Sequence, residues 1–98
     1  MTSRYRLLTL AASILLLAGT VIRFEIPSTL ADAKARLAIY NLRGELVAEL
    51  LHQRLPAGNY FVRWEGKNET HEGVTSGVYF YRLQVGPVKE ARKLTLLR

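Results

Sequence analysis

From Val21 onward the chain breaks into short runs in which apolar residues recur at about every second position, the period of a half-buried strand and not of a helix. Val21 to Ile26 places Ile22, Phe24 and Ile26 on one face and Arg23 and Glu25 on the other, and Pro27 ends the run. Ser28 to Ala33 reads as a loop or a helical turn. Lys34 to Tyr40 then turns Ala35, Leu37 and Ile39 inward and Lys34, Arg36 and Tyr40 outward. Asn41-Leu42-Arg43-Gly44 predicts a tight turn in which Gly44 is free to adopt positive φ, and Glu45 to Leu51 returns from it. Pro56-Ala57-Gly58-Asn59 is the next turn. After it Tyr60, Val62 and Trp64 alternate with Phe61 and Arg63. Gly66 to Ser76 is polar and irregular. Gly77 to Val85, rich in Val, Tyr and Phe, has the composition of a strand, and Gly86-Pro87 turns it into Val88 to Leu97.

Six strands with turn signals about every ten residues, and no convincing helix among them, predict an all-β fold. The pattern suits an immunoglobulin-like antiparallel β-sandwich of six to seven strands. Trp64 is its expected core plug, because one buried indole outweighs most other single contributions. Tyr79 and Tyr81 share a face that should point inward. The last two strands form a hairpin that runs to Arg98. An edge strand there could pair with another sheet, and Lys89, Arg92 and Lys93 would guard it against unspecific pairing.

The chain before this pattern differs. Met1 to Arg6 carries two arginines and no acid, and Leu7 to Ala18 is apolar apart from Thr9 and Ser13. That is the layout of a secretory signal peptide. A membrane-spanning helix needs about 20 apolar residues, a length reached here only by borrowing Val21 and Ile22 from the first strand. Residues 1–20 are therefore expected to be a signal-like segment and 21–98 the domain, with an uncleaved membrane anchor as the alternative for the first twenty.

Composition removes several kinds of function. The chain has 98 residues, enough for one small domain, and no cysteine. Its formal net charge is +6, of which Arg4 and Arg6 supply two, and the rest looks dispersed apart from Lys89, Arg92, Lys93 and Arg98. Such dispersal points to solubility rather than to a phosphate or lipid site. His52 and His71 lack a second histidine or paired carboxylates at metal-ligand spacing. Glu65, Glu69 and Glu72 lack the interleaved Asp, Asn and Gly of a calcium loop. Asn68-Glu69-Thr70 fits a glycosylation triplet, a short motif that often arises by chance. No nucleophile, base and orienting group come together, and no Gly-rich phosphate cradle or basic-aromatic stacking surface is present. No enzyme activity, catalytic residue, cofactor, metal or nucleic-acid partner is expected.

The order of motifs is informative where each alone is weak. Thr20-Val21-Ile22-Arg23-Phe24-Glu25-Ile26-Pro27 leads to Leu37-Ala38-Ile39-Tyr40-Asn41-Leu42-Arg43-Gly44-Glu45-Leu46-Val47. Then come Pro56-Ala57-Gly58, Trp64-Glu65-Gly66, Ser76-Gly77-Val78-Tyr79 and Arg92-Lys93-Leu94. This series resembles the C-terminal sorting domain of type IX secretion substrates, and it is similar to the immunoglobulin-like module of flagellar hook-capping proteins. The resemblance covers Thr20 to Arg98. It implies Sec export, transit through the periplasm, recognition by an outer-membrane translocon, and attachment to the cell surface, where lipopolysaccharide is a possible acceptor. Gly44 and Gly58 match the family's turn glycines, and Trp64 and Tyr79 its core aromatics. Gly77 opens the penultimate strand, and Lys93 matches the basic residue of the last one. Glu65 stands where the family usually has Asp, and the family's Asn-Pro-rich lead-in is absent. Such domains normally close a longer cargo protein, so the chain is expected to be a stand-alone relative or a piece of a longer protein.

On this reading the domain is a non-enzymatic secretion and surface-attachment signal that acts through its last two strands. Gly77, Tyr79, Lys93 and Leu94 are the expected recognition residues, while Gly44, Gly58 and Trp64 are structural. One rival is a spacer module of a hook-capping or extracellular scaffold protein. Another is a small carbohydrate-binding sandwich, for which Tyr40 and Phe61 are the outward aromatics.

Overall fold

The computed structural model describes residues 11–15 and 19–97. Its strands are β1 (Ala11–Leu15), β2 (Gly19–Ile26), β3 (Lys34–Tyr40), β4 (Leu46–Arg54), β5 (Gly58–Trp64), β6 (Gly77–Val85) and β7 (Val88–Leu96). One turn of 3-10 helix, Ser28–Leu30, lies between β2 and β3. The strands form two antiparallel sheets, one ordered β1-β2-β5 and the other β4-β3-β6-β7. The β2–β5 and β3–β6 pairings, with β4 beside β3, give the immunoglobulin-like sandwich that the alternation predicts. All six predicted strands are present, and β2 starts two residues earlier than Val21 while β4 continues three beyond Leu51. Ala11–Leu15, inside the segment read as a signal, pairs with β2. The rest of that segment up to Ala18 lies outside the described residues.

The inward positions meet in one core. Ile22, Phe24 and Ile26 from β2 face Leu37 and Ile39 from β3 and Tyr81, Leu83 and Val85 from β6, with Leu94 and Leu96 closing the side at β7. Trp64 is 2% exposed and sits at the end of β5, where its ring meets Tyr79 edge to face at 5.2 Å. The indole N–H is not stranded there, because it donates to the Lys67 carbonyl at 2.9 Å. That bond ties the start of the 66–76 loop to the core.

The same local device opens β5 and β6. Each strand begins with a glycine at positive φ, +151° at Gly58 and +153° at Gly77. Two residues later a tyrosine hydroxyl donates to the carbonyl four positions back, Tyr60 to Pro56 at 2.6 Å and Tyr79 to Thr75 at 2.7 Å. Tyr79 is thus the tyrosine corner of the sandwich, near the start of the strand that corresponds to F in immunoglobulin domains. The sequence carries this as Gly-Asn-Tyr-Phe and Gly-Val-Tyr-Phe, a repeat that strand periodicity alone does not reveal.

One core position is chemically mismatched. Thr20 is fully buried opposite Trp64, and its hydroxyl has no hydrogen-bond partner among the described residues. An unsatisfied buried hydroxyl costs about 1–3 kcal/mol. Thr20→Val keeps the shape and removes the hydroxyl, so the variant should melt higher than the parent in a thermal scan. A lower melting temperature would show that the hydroxyl is bonded in solution.

Candidate functional site: the C-terminal hairpin and the outer face of its sheet

β6 and β7 pair along their whole length, from Gly77 opposite Leu96 to Val85 opposite Val88. The two-residue connection Gly86-Pro87 suits a tight hairpin, since Gly86 holds φ +56° and proline fixes the next φ near −65°. β7 is the outer strand of the four-stranded sheet, so the chain's last strand is an edge. Along it Val88, Leu94 and Leu96 are buried, whereas Lys89, Ala91, Lys93 and Thr95 face outward and are exposed. The opposite edge, β4, is treated differently: the Glu69 carboxylate accepts the Glu49 backbone N–H at 2.5 Å. Charge blunts one edge and a side-chain hydrogen bond from a loop caps the other.

Of the four residues expected to serve recognition, Lys93 presents its side chain to solvent, opposite Phe80. Tyr79 and Leu94 pair with each other on the core side and are 7% and 5% exposed. Gly77 contributes backbone at the start of β6, and a Cβ there would meet nothing within 4 Å. The residues expected to be structural hold turns and core. Gly44 has φ +82° in a turn where the Asn41 side-chain oxygen accepts the N–H groups of Arg43 and Glu45. Gly58 opens β5, and Trp64 is buried as described above.

The outward side chains of this sheet form an arrangement that linear order conceals. β3 pairs with β4 through register shifts between Leu37 and Ala38 and between Ile39 and Tyr40. The first shift puts Glu49 and His52, three residues apart, on the same outer face, where a regular strand would place them on opposite faces. Arg36 Nε lies 2.5 Å from Glu49 Oε2, and His52 Nδ1 lies 3.7 Å from the same oxygen. Ala38 is small enough to be covered completely between Glu49 and Arg82, its cross-strand neighbours. The Tyr40 hydroxyl accepts hydrogen bonds from Arg36 at 2.9 Å and Arg82 at 3.1 Å, and the Arg82 guanidinium sits 5.1 Å from the centre of the Tyr40 ring.

Burial raises the Tyr40 phenol, but the hydrogen bond and charge of Arg36, joined by those of Arg82, outweigh it and hold the group below the usual phenol range. Burial pushes the Tyr81 phenol the other way, and the charge of Arg92 offsets only part of that. For Tyr40 the linked stabilisation is complete above the unfolded phenol value and is lost as pH falls through the lowered folded value. Tyr40→Phe should remove an early phenol ionisation, one below the usual phenol range, from an ultraviolet absorbance titration. Retention of that early step would show that another tyrosine carries it.

Charge that looks dispersed in the sequence is gathered here. The outward positions of β3, β4, β6 and β7 hold Lys34, Arg36, Arg54, Arg82, Lys89 and Lys93 against one carboxylate, Glu49. The other described positions carry slightly more acid than base. Period-two alternation causes this, since it sends every second residue of four neighbouring strands to one surface. The two aromatics expected to face outward do not share a surface: Phe61, 71% exposed, lies on the three-stranded sheet and Tyr40 on the other, where its cross-strand neighbour is Phe80. Among the described residues no three His, Cys, Asp or Glu side chains could hold a metal ion, and Glu72 is instead bonded to Asn68 and Thr70. The Asn68 side chain of the glycosylation triplet is engaged too, accepting from Thr70 and Glu72 backbone N–H groups.

An antiparallel two-sheet sandwich with a tyrosine corner and a C-terminal hairpin on its edge defines an immunoglobulin-like module. The family model described as CHU_C, type IX secretion signal domain, matches residues 19–97, and the chain belongs to that family. No curated protein matches it. Family membership makes this a type IX secretion sorting signal, which implies interaction with the secretion machinery in general and export to the cell surface or the extracellular space.

Proposed function

We propose that the domain is a non-enzymatic sorting signal read at its C-terminal hairpin, and that delivery through the periplasm ends in attachment at the cell surface. The supporting observation is the placement of β7: it is a sheet edge, its apolar residues anchor it in the core, and Lys93 stands free on its outward side. A receptor could add a strand to that edge, with backbone hydrogen bonds supplying affinity and Lys93 a charge to be matched. Tyr79 and Leu94 serve this reading indirectly, by holding the edge in place. Surface lipopolysaccharide is the proposed acceptor of the delivered protein.

The test is a fluorescent reporter behind a Sec signal, fused to residues 11–98 and expressed in a type IX-competent bacterium. The parent fusion should reach the surface. Lys93→Ala should fold with stability within about 0.5 kcal/mol of the parent, as exposed substitutions usually do, and yet accumulate in the periplasm. Equal surface delivery of both fusions, or a stability loss for Lys93→Ala as large as for Tyr79→Ala, would remove the recognition role of Lys93.

A further inference from the structure

The cationic outer face has a centre and a shape. Arg36 is committed to Glu49, and Arg54 donates to the Asp32 carbonyl at 3.0 Å. Arg82, Lys89 and Lys93 have no carboxylate within ion-pair distance among the described residues. Beside Arg82 the surface sinks into a hollow of about 360 Å³, lined in part by Tyr40, Leu42, Phe80 and Ala91. A second hollow of about 270 Å³ adjoins it across Leu42, whose side chain is 67% exposed, and is lined on that side by Arg43 and Val78. Uncompensated positive charge thus borders two small, partly apolar depressions.

We propose that this outer face is a docking surface for an acidic polypeptide segment carrying apolar side chains, with Arg82 at its centre, Lys93 at its rim and the hollow between Leu42 and Phe80 receiving an apolar residue. Charge complementarity selects the occupant: an extended segment alternating acidic and apolar residues meets both features at once. The aromatic groups do not suit the other polyanions. One face of the Tyr40 ring is taken by the Arg82 guanidinium, so a base or a sugar would have to displace that cation to stack there. Tyr40 and Phe80 are half-buried in a hollow rather than raised above it, the reverse of a wedge that enters lipid. A second copy of this chain would bring like charge to like charge. This surface shares Lys93 with the β7 edge but uses the outer side chains of the sheet rather than the edge backbone, and it does not depend on the sorting reading.

The test uses the full chain and a short fluorescent peptide of alternating aspartate and leucine, followed by anisotropy at low and high salt. The parent should bind it, with affinity falling as salt rises, and the same peptide with asparagine for aspartate should not bind. Arg82→Glu and Lys93→Glu should each weaken binding by about tenfold or more, because each sets like charge against the peptide. Arg63→Glu, an outward change on the other sheet, should leave it unchanged. Circular dichroism on each variant separates lost binding from lost fold. Lys93→Glu keeps the test decisive if Arg82→Glu unfolds, since the exposed Lys93 side chain makes no hydrogen bond or ion pair among the described residues. No binding by the parent, equal binding of the asparagine peptide, or an equal loss with Arg63→Glu would overturn the proposal. So would binding to phosphatidylglycerol vesicles that the aspartate peptide fails to displace, which would assign the face to lipid. Export is not measured here, so failure of the sorting reading and failure of this one are told apart.

Discussion

Trp64→Ala is expected to leave the domain largely unfolded at ordinary temperature. Truncating a buried aromatic residue costs about 3–5 kcal/mol, and small domains hold little more than the low end of about 5–15 kcal/mol in total. Trp64 has further reasons to fall in the upper part of that range. It fills the end of the core where β5 meets β2, it packs edge to face on Tyr79, and its N–H holds the Lys67 carbonyl. Losing the indole opens a cavity and also releases the first turn of the 66–76 loop. That loop carries Glu69, which caps the β4 edge at the Glu49 N–H. Thermal unfolding followed by circular dichroism measures the effect. A variant within about 1 kcal/mol of the parent would mean that the core collapses around the gap, contrary to the close packing expected of it.

Tyr79 should show a two-step loss that separates its ring from its hydroxyl. Tyr79→Phe keeps the contact with Trp64 and removes only the bond to the Thr75 carbonyl, a loss of about 0.5–1.5 kcal/mol. Tyr79→Ala also removes the ring, for about 3–5 kcal/mol in all. Because Tyr79 and Trp64 touch, the double variant should lose less than the sum of the singles. A coupling of about 0.5–1.5 kcal/mol is usual for aromatic pairs. Denaturant titrations of the parent, both singles and the double variant give that coupling directly. Additive losses would mean that the rings share space without interacting. The export assay has a matching consequence: Tyr79→Phe should sort normally if it folds, since its side chain faces the core.

The family and the class of fold were legible because they rest on local order. Gly44, Gly58, Trp64, Gly77, Tyr79 and Lys93 come in sequence with strand periodicity between them, and each falls at the turn, core or strand position its context implies. The four proposed recognition residues were less separable. Tyr79, Lys93 and Leu94 sit in neighbouring registers of one hairpin, yet the pleat sends Tyr79 and Leu94 into the core and Lys93 out. Alternation predicts that split, but it does not show that β7 is the edge of its sheet, which is what leaves Lys93 open to a partner.

By itself the sequence determined the strands, the turns and the inward face of each strand, because side-chain period and turn chemistry act over a few residues. It did not decide the conformation of Ala11–Leu15, since a short continuous apolar run has no period to read. Tertiary structure alone decided which strands neighbour one another, and with that the β4 bulge that joins Glu49 to Arg36. It also decided that Tyr40 and Phe61 lie on opposite sheets and that Lys34, Arg36, Arg54, Arg82, Lys89 and Lys93 share one surface. Strand order is set by long-range pairing and by the burial of two sheet faces against each other. Charges separated by tens of residues along the chain therefore become neighbours only when the sheet is assembled.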